Sequence, residues 1–227
     1  MNNIIYRIVV VSTLFVLCLF SVQAQEYNFA DNTLSMSQIV NQWQDHEFYT
    51  ATTTDHPNIK DYFFSFTFAY PNELCINMLA RLAGLEHEGV GNFVVDPANG
   101  FIGGELLTEL SPKMQMCYWN CSDGSRLVGV LLQGHEYKPT YKEYEETEYN
   151  DDMTFCYTDL MFFRLTNEDL IWHPVKPEQL CGRSINFRYF NIEVPRRGKD
   201  ISLTRTFGDG KSYKLKWNGT KFTVVTL

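Results

Sequence analysis

A chain of 227 residues that is 44% hydrophobic and 20% charged, with 8 Pro and 14 Gly, has a globular composition, which excludes wholesale disorder, a collagen and a disulfide knot. The length fits one large domain or two small ones, either of which buries a real core. The net charge of -8 argues against nucleic acid as a partner, because it leaves no basic face to neutralise phosphates.

The first 24 residues read as an address. Arg7 is the only charged side chain before Glu26, Ile8 to Phe20 is a nearly pure apolar run, and Ser21-Val22-Gln23-Ala24 offers small residues where a signal peptidase cuts. The run is shorter than the roughly 20 residues of a membrane span. A lipoprotein reading fails because Leu17, not a small residue, precedes Cys18. The expectation is cleavage after Ala24 and a mature chain that is periplasmic or secreted, without a transmembrane span. Cleavage removes Arg7 and no acid, so the mature charge is 18 basic against 27 acidic residues, or -9. It leaves Cys75, Cys117, Cys121, Cys156 and Cys181, which either form at most two bridges in a pattern the sequence leaves open or stay as buried free thiols behaving as small hydrophobes. Cys117 and Cys121 on one extended strand would stand about 13 Å apart, too far to bridge unless the chain turns between them.

Residues 25–227 read as a single α+β domain, helical over about 35–84 and β over about 91–226. Met36, Ile39, Val40 and Trp43 recur at helical spacing behind Ser35 as N-cap. Tyr62 to Tyr70 fits both a period of two and a helical face. Asn58 as N-cap, Asp61 three residues on and the stop at Pro71 decide for a helix. Leu74, Cys75, Met78, Leu79 and Leu82 form the next helix, capped by Asn72 and ended by Gly84.

After Gly91 the texture changes to short β-type runs joined by turn residues. Phe93-Val94-Val95 leads through Asp96–Gly100 to Phe101-Ile102. Met114–Asn120 leads through Ser122-Asp123-Gly124 to Leu127–Leu132, and Tyr157–Leu165 leads to Leu170-Ile171-Trp172. Ile201–Phe207 precedes Gly208-Asp209-Gly210, and Tyr213–Trp217 leads through Asn218-Gly219 to Phe222–Val225. Asn-Gly between such runs is a strong hairpin signal. The simplest arrangement is N-terminal helices packed on a mostly antiparallel β-meander of hairpins, with Trp119 and Trp217 buried against the helices. Pro174–Arg183 reads as a connection.

Met116-Cys117-Tyr118-Trp119-Asn120 before Asp123-Gly124, then Val194-Pro195-Arg196-Arg197-Gly198-Lys199-Asp200-Ile201, then Leu215-Lys216-Trp217-Asn218-Gly219-Thr220-Lys221-Phe222, together resemble a class of uncharacterised exported proteins of Gram-negative gut bacteria. The resemblance spans the last two thirds of the chain. It implies a periplasmic or secreted location and an α+β or mostly-β build, and it brings no catalytic residue with it.

The chemistry-bearing motifs are near misses. His46-Glu47 and His135-Glu136 lack the second His of a zinc helix. Cys117-x-x-x-Cys121 lacks a second ligand pair. Gly210-Lys211-Ser212 resembles the tail of a phosphate loop, but Arg205 stands where glycine is required and a strand follows. No Gly-x-Ser-x-Gly elbow occurs. The expectation is no cofactor, no metal and no catalytic residue. The tract Glu136–Asp152 carries seven acids against Lys138 and Lys142, interleaved with Tyr137, Tyr141, Tyr144 and Tyr149. Tyr141, Tyr144 and Tyr149 are the candidate ligand-binding residues, since tyrosines give stacking area; the competing reading is a solvated insertion between strands. Arg196-Arg197-Gly198-Lys199 reads as a turn. The function expected is an exported non-enzymatic module binding a glycan, a peptide or an envelope protein. The alternatives are a secreted hydrolase with a site assembled by the fold and an inhibitor of a secreted enzyme.

Overall fold

The structure, a computed structural model, describes residues 33–45, 47–49, 56–85, 89–109, 111–137, 155–165, 171–205 and 211–227. Side-chain caps start the N-terminal helices where the sequence places them. The Ser35 hydroxyl accepts the Gln38 N–H at 3.2 Å while Gln38 accepts the Ser35 N–H at 2.8 Å, opening α1 (Met36–Gln42), which tightens into a 3-10 turn at Trp43–Asp45. Asn58 and Asp61 cap each other's backbone at the start of α2 (Ile59–Ala69), so the ambiguous aromatic run is a helix that puts Ile59, Tyr62, Phe63 and Phe66 in the core. That choice leaves Phe64 and Phe68 on the outer face, 59% and 65% exposed. Asn72 accepts the Cys75 N–H at 3.0 Å and starts α3 (Glu73–Leu82), after which Gly84 takes φ +80°.

The β half is α+β as read, in two antiparallel sheets. Strand β1 (Phe48–Tyr49) joins the meander β2 (Val90–Asp96), β3 (Phe101–Leu106), β4 (Lys113–Asn120), β5 (Arg126–Tyr137), β6 (Phe155–Leu165) and β7 (Ile171–Val175) in the order β1-β7-β6-β5-β4-β3-β2. The connection expected over Pro174–Arg183 holds the end of β7 and a short helix α4 (Pro177–Cys181), with Pro177 at its start and Gly182 at φ +67° after it. A 3-10 turn at Phe187–Tyr189 leads into β8 (Phe190–Glu193), β9 (Ile201–Arg205), β10 (Ser212–Trp217) and β11 (Phe222–Thr226), ordered β11-β10-β9-β8.

The large sheet is buried on both sides. Met114, Met116, Val128, Val130, Met161 and Phe163 face α1–α3 in one core. Their neighbours Cys117, Trp119, Leu127, Leu131, Leu160 and Phe162 face the small sheet in a second core with Leu203, Leu215, Trp217 and Phe222. Strands with two apolar faces lose the polar alternation of a half-exposed sheet. Trp119 and Trp217 are therefore buried, at 3% and 8% exposure, but between the two sheets and not against the helices.

Polar contacts fasten the layers at their rims. Trp119 Nε1 donates to the Lys199 carbonyl at 2.8 Å, and the Ser122 N–H donates to the Gly219 carbonyl at 2.8 Å. Arg196 Nε donates to Asp96 Oδ2 at 3.1 Å. On the helix side Arg126 lies against the Tyr62 and Tyr118 rings, at 5.6 and 5.1 Å from their centroids. The Arg126 guanidinium also donates to the Pro57 carbonyl at 2.6 Å and to the Tyr62 hydroxyl, tying the start of α2 to the start of β5. Burial raises the Tyr62 hydroxyl above its ordinary range despite that cation.

Candidate functional site

A cleft of about 330 Å³ opens where α1 and its 3-10 turn meet β6 and the segment 177–188. Asp159 of β6 is one of the residues that line it. In β6 the residues before and after it, Leu160 and Met161, Phe162 and Phe163, alternate between the two cores. Asp159 falls on the helix-side parity of that alternation. Arg188 reaches it from the 3-10 turn, which Asn186 caps through the Arg188 N–H at 3.2 Å and which Phe187 anchors against Phe162, ring centroids 6.4 Å apart. The Arg188 Nε and Asp159 Oδ1 stand 3.7 Å apart, with the side chains 32% and 14% exposed. Asn41, Gln44 and Asn186 add amide groups to the walls, and Glu178 adds a second carboxylate.

Glu178 is not a proton donor in waiting. Its own backbone N–H in the first turn of α4 and the Ser184 hydroxyl, which donates to Oε1 at 2.9 Å, hold its carboxyl below the usual range. A glycosidase acid needs the opposite shift. The cleft is thus equipped to exchange hydrogen bonds with hydroxyl or amide groups of a ligand, through planar amides and an ion pair partly shielded from water.

A larger cleft, about 500 Å³, lies between the starts of α1 and α3 and is lined by Ser35, Gln38, Asn72 and Leu106 among others. Of its polar side chains, Ser35, Gln38 and Asn72 are committed to helix caps, and Thr33 and Glu73 complete the polar lining.

The tyrosine candidates Tyr141, Tyr144 and Tyr149 lie outside the described residues. The strands that lead to them are described. The β4 partner of β5 ends at Gln133, and the β7 partner of β6 begins at Phe162, yet β5 and β6 go on pairing through His135–Tyr157, Glu136–Cys156 and Tyr137–Phe155 past a bulge at Gly134. The acidic tract Glu136–Asp152 therefore starts inside the ladder, at Glu136 and Tyr137, and its residues from Lys138 on lie outside the described residues. The same strand β6 links this hairpin to Asp159.

Of the other motifs, His135 is a strand residue, while His46 and Gly210 lie outside the described residues. The basic turn bends at Gly198, φ +90°, with Arg196 engaged by Asp96. Cys75, Cys117, Cys121 and Cys181 are free thiols. Burial pushes Cys75 up to about 12 and Cys181 up to about 11. No group of three His, Cys, Asp or Glu suited to a metal occurs among the described residues, and no helix among them is long and apolar enough to cross a membrane.

Sequence reasoning passed over Asp159 and Arg188. The available signal was an acid inside an otherwise apolar strand run, Thr158-Asp159-Leu160-Met161-Phe162-Phe163, because a shielded carboxylate needs a partner. Compared with known proteins, the chain matches no family model, no curated protein and no solved structure.

Proposed function

We propose that the protein is exported to the periplasm or beyond and acts there as a non-enzymatic binding module, taking a polar ligand, a glycan end or a peptide segment, in the cleft around Asp159 and Arg188. The observation that carries this reading is the partly shielded Asp159–Arg188 ion pair in a cleft that Asn41, Gln44 and Asn186 line together with Glu178 and apolar side chains such as Trp43 and Ile185. Export rests on the leader pattern ending at Ala24. Binding without turnover is the reading because no catalytic motif occurs in the sequence, and Glu178, its carboxyl held below the usual range, is a poor proton donor. The segment 138–154, carried by β5 and β6 with two Lys against six acids, supplies further contacts through Tyr141, Tyr144 or Tyr149.

The test is to probe glycan and peptide arrays with the native protein and with D159N/R188Q, which removes both charges of the pair together. The reading expects ligands captured by the native protein and lost by the double variant at unchanged fold. Ligands retained by the double variant, or cleaved by the native protein, would refute it.

A further inference from the structure

Of the described strands that end a sheet, β11 alone is unguarded. Strand β2 carries a register break between Gly91 and Val94 and ends on Asp96, β1 has two residues, and β8 has four and ends on Glu193. Bulges, charges and short length keep an edge from pairing. Strand β11 reads Phe222-Thr223-Val224-Val225-Thr226, with no charge, no Pro, no Gly and no break in register. Its Val and Thr residues are strong strand formers.

The ends of the ladder fix which backbone groups face outward. The Leu227 N–H donates to the Ser212 carbonyl at 2.9 Å, and the Asn218 N–H donates to the Lys221 carbonyl at 3.2 Å. Between these two pairs, Val225 opposite Lys214 and Thr223 opposite Lys216 keep the same phase and bond to β10. Phe222, Val224 and Thr226 therefore turn their N–H and C=O away from β10, and these groups have no partner among the described residues.

A cleft of about 330 Å³ opens at this edge, between the end of α4 with Gly182 and Arg183 on one side and Lys221 with the start of β11 on the other. Arg183 and Lys221 are both exposed, and no acid is among the described residues that line the cleft. Glu178 of α4 lines the Asp159 cleft instead and is held by Ser184, and Glu193 stands on β8, the opposite edge of the small sheet.

We infer that the free edge of β11 takes an extended peptide segment as an added strand, with a carboxylate side chain of that segment set against Arg183 and Lys221. A backbone in strand form matches donors and acceptors that recur every second residue, about 6.6 Å apart. The two cations select the side chain, because an added strand without an acid leaves them with no counter-charge. A second copy of β11 is such a strand: its five residues carry no carboxylate. The site is separate from the Asp159 cleft and holds whatever that cleft binds.

Fluorescence anisotropy of the purified protein with a fluorescein-labelled hexapeptide of alternating glutamate and valine is the test. The comparisons are a hexapeptide of alternating lysine and valine, and two forms of the acidic peptide, each N-methylated at one set of alternate backbone nitrogens. An added strand turns one set toward β11 and the other away, so one methylated form should lose binding and the other keep it. The acidic peptide should bind, more weakly as salt rises, and the basic one should not. V224P removes the central outward N–H and no bond to β10, so it should abolish binding. R183Q/K221Q should bind about tenfold more weakly, while K60Q/K113Q, which removes equal charge away from the small sheet, should not. Should V224P fail to fold, the two methylated peptides still read the edge. No binding of the acidic peptide, equal binding of the two methylated forms or of the basic peptide, or unchanged affinity of R183Q/K221Q would overturn the inference. So would native protein that sediments as a dimer and is made monomeric by V224P, since the edge would then belong to a second copy.

Discussion

The contact between Trp119 and Gly129 decides whether the two sheets are cemented as described. Gly129 sits on β5 with Cys117 and Phe162 as its cross-strand partners. A Cβ added there would lie 2.9 Å from Trp119 Cζ3 and 3.1 Å from Cη2, inside ordinary contact distance. The indole is closed in by Phe222, Trp217 and Phe162, at centroid separations of 5.3, 6.2 and 6.3 Å, and its N–H is held by Lys199. It therefore cannot yield without disturbing the inter-sheet core. Trp119→Ala should cost about 3–5 kcal/mol for the cavity, and about 1 kcal/mol more for the carbonyl left without its donor. Gly129→Ala would gain up to about 1 kcal/mol in an open strand, but here overpacking should make it a loss of about 1–3 kcal/mol. Trp119→Phe removes the outer ring atoms that block the new Cβ. The double variant G129A/W119F should then cost about 1 kcal/mol less than the sum of the singles. Urea unfolding followed by far-UV circular dichroism measures all four proteins without relying on the altered tryptophan. Additive costs, or a Trp119→Ala loss below about 1 kcal/mol, would mean that the sheets do not pack through this ring.

Arg126→Met should cost about 2–3 kcal/mol, because Pro57 and Tyr62 lose a charge-assisted donor and two tyrosine rings lose their cation; Arg126→Lys should recover less than half of this in the same unfolding assay. Native protein treated with an aromatic disulfide at pH 8 should expose Cys181, only half-buried, before Cys75 and Cys117, which should react only on unfolding. The Cys75 thiol has a folded value of about 12 against 9.0 in the open chain. Its stability contribution should be complete below pH 9 and decline by about 1.4 kcal/mol per pH unit as pH rises from 9 toward 12, and Cys75→Ala should lessen the slope of unfolding free energy against pH by that share, the part due to Cys117 and Cys181 remaining. The intact mass of the exported protein should correspond to a chain beginning at Gln25; a retained leader would refute the export reading.

The parts of the fold legible in the sequence are those set by local chemistry. Ser35, Asn58 and Asn72 marked three helix starts, and the cap at Asn58 settled the aromatic run as α2 where periodicity alone was undecided. Asp96–Gly100 and Asn218-Gly219 marked hairpins that β2–β3 and β10–β11 form. The burial of Trp119 and Trp217 was legible too, but their partners were not. A strand apolar on both faces carries no mark of which face meets helices and which meets another sheet. The division into two sheets follows from packing between residues some 80 positions apart, such as Trp119 and Lys199, which no local pattern encodes. Helix α4 was hidden by its five residues, although Pro177 and Gly182 bracket it. The cleft was hidden for the same long-range reason: Asp159 and Arg188 meet only because Phe187 seats its turn on β6.

The claim at the centre of this account is that the Asp159–Arg188 cleft holds a ligand. Its most direct test is the comparison of native protein with D159N/R188Q on one glycan and peptide array, both proteins first matched for unfolding midpoint. The expected result is a set of ligands bound by the native protein and absent from the double variant, with no cleavage product released. Identical binding by the two proteins would contradict it.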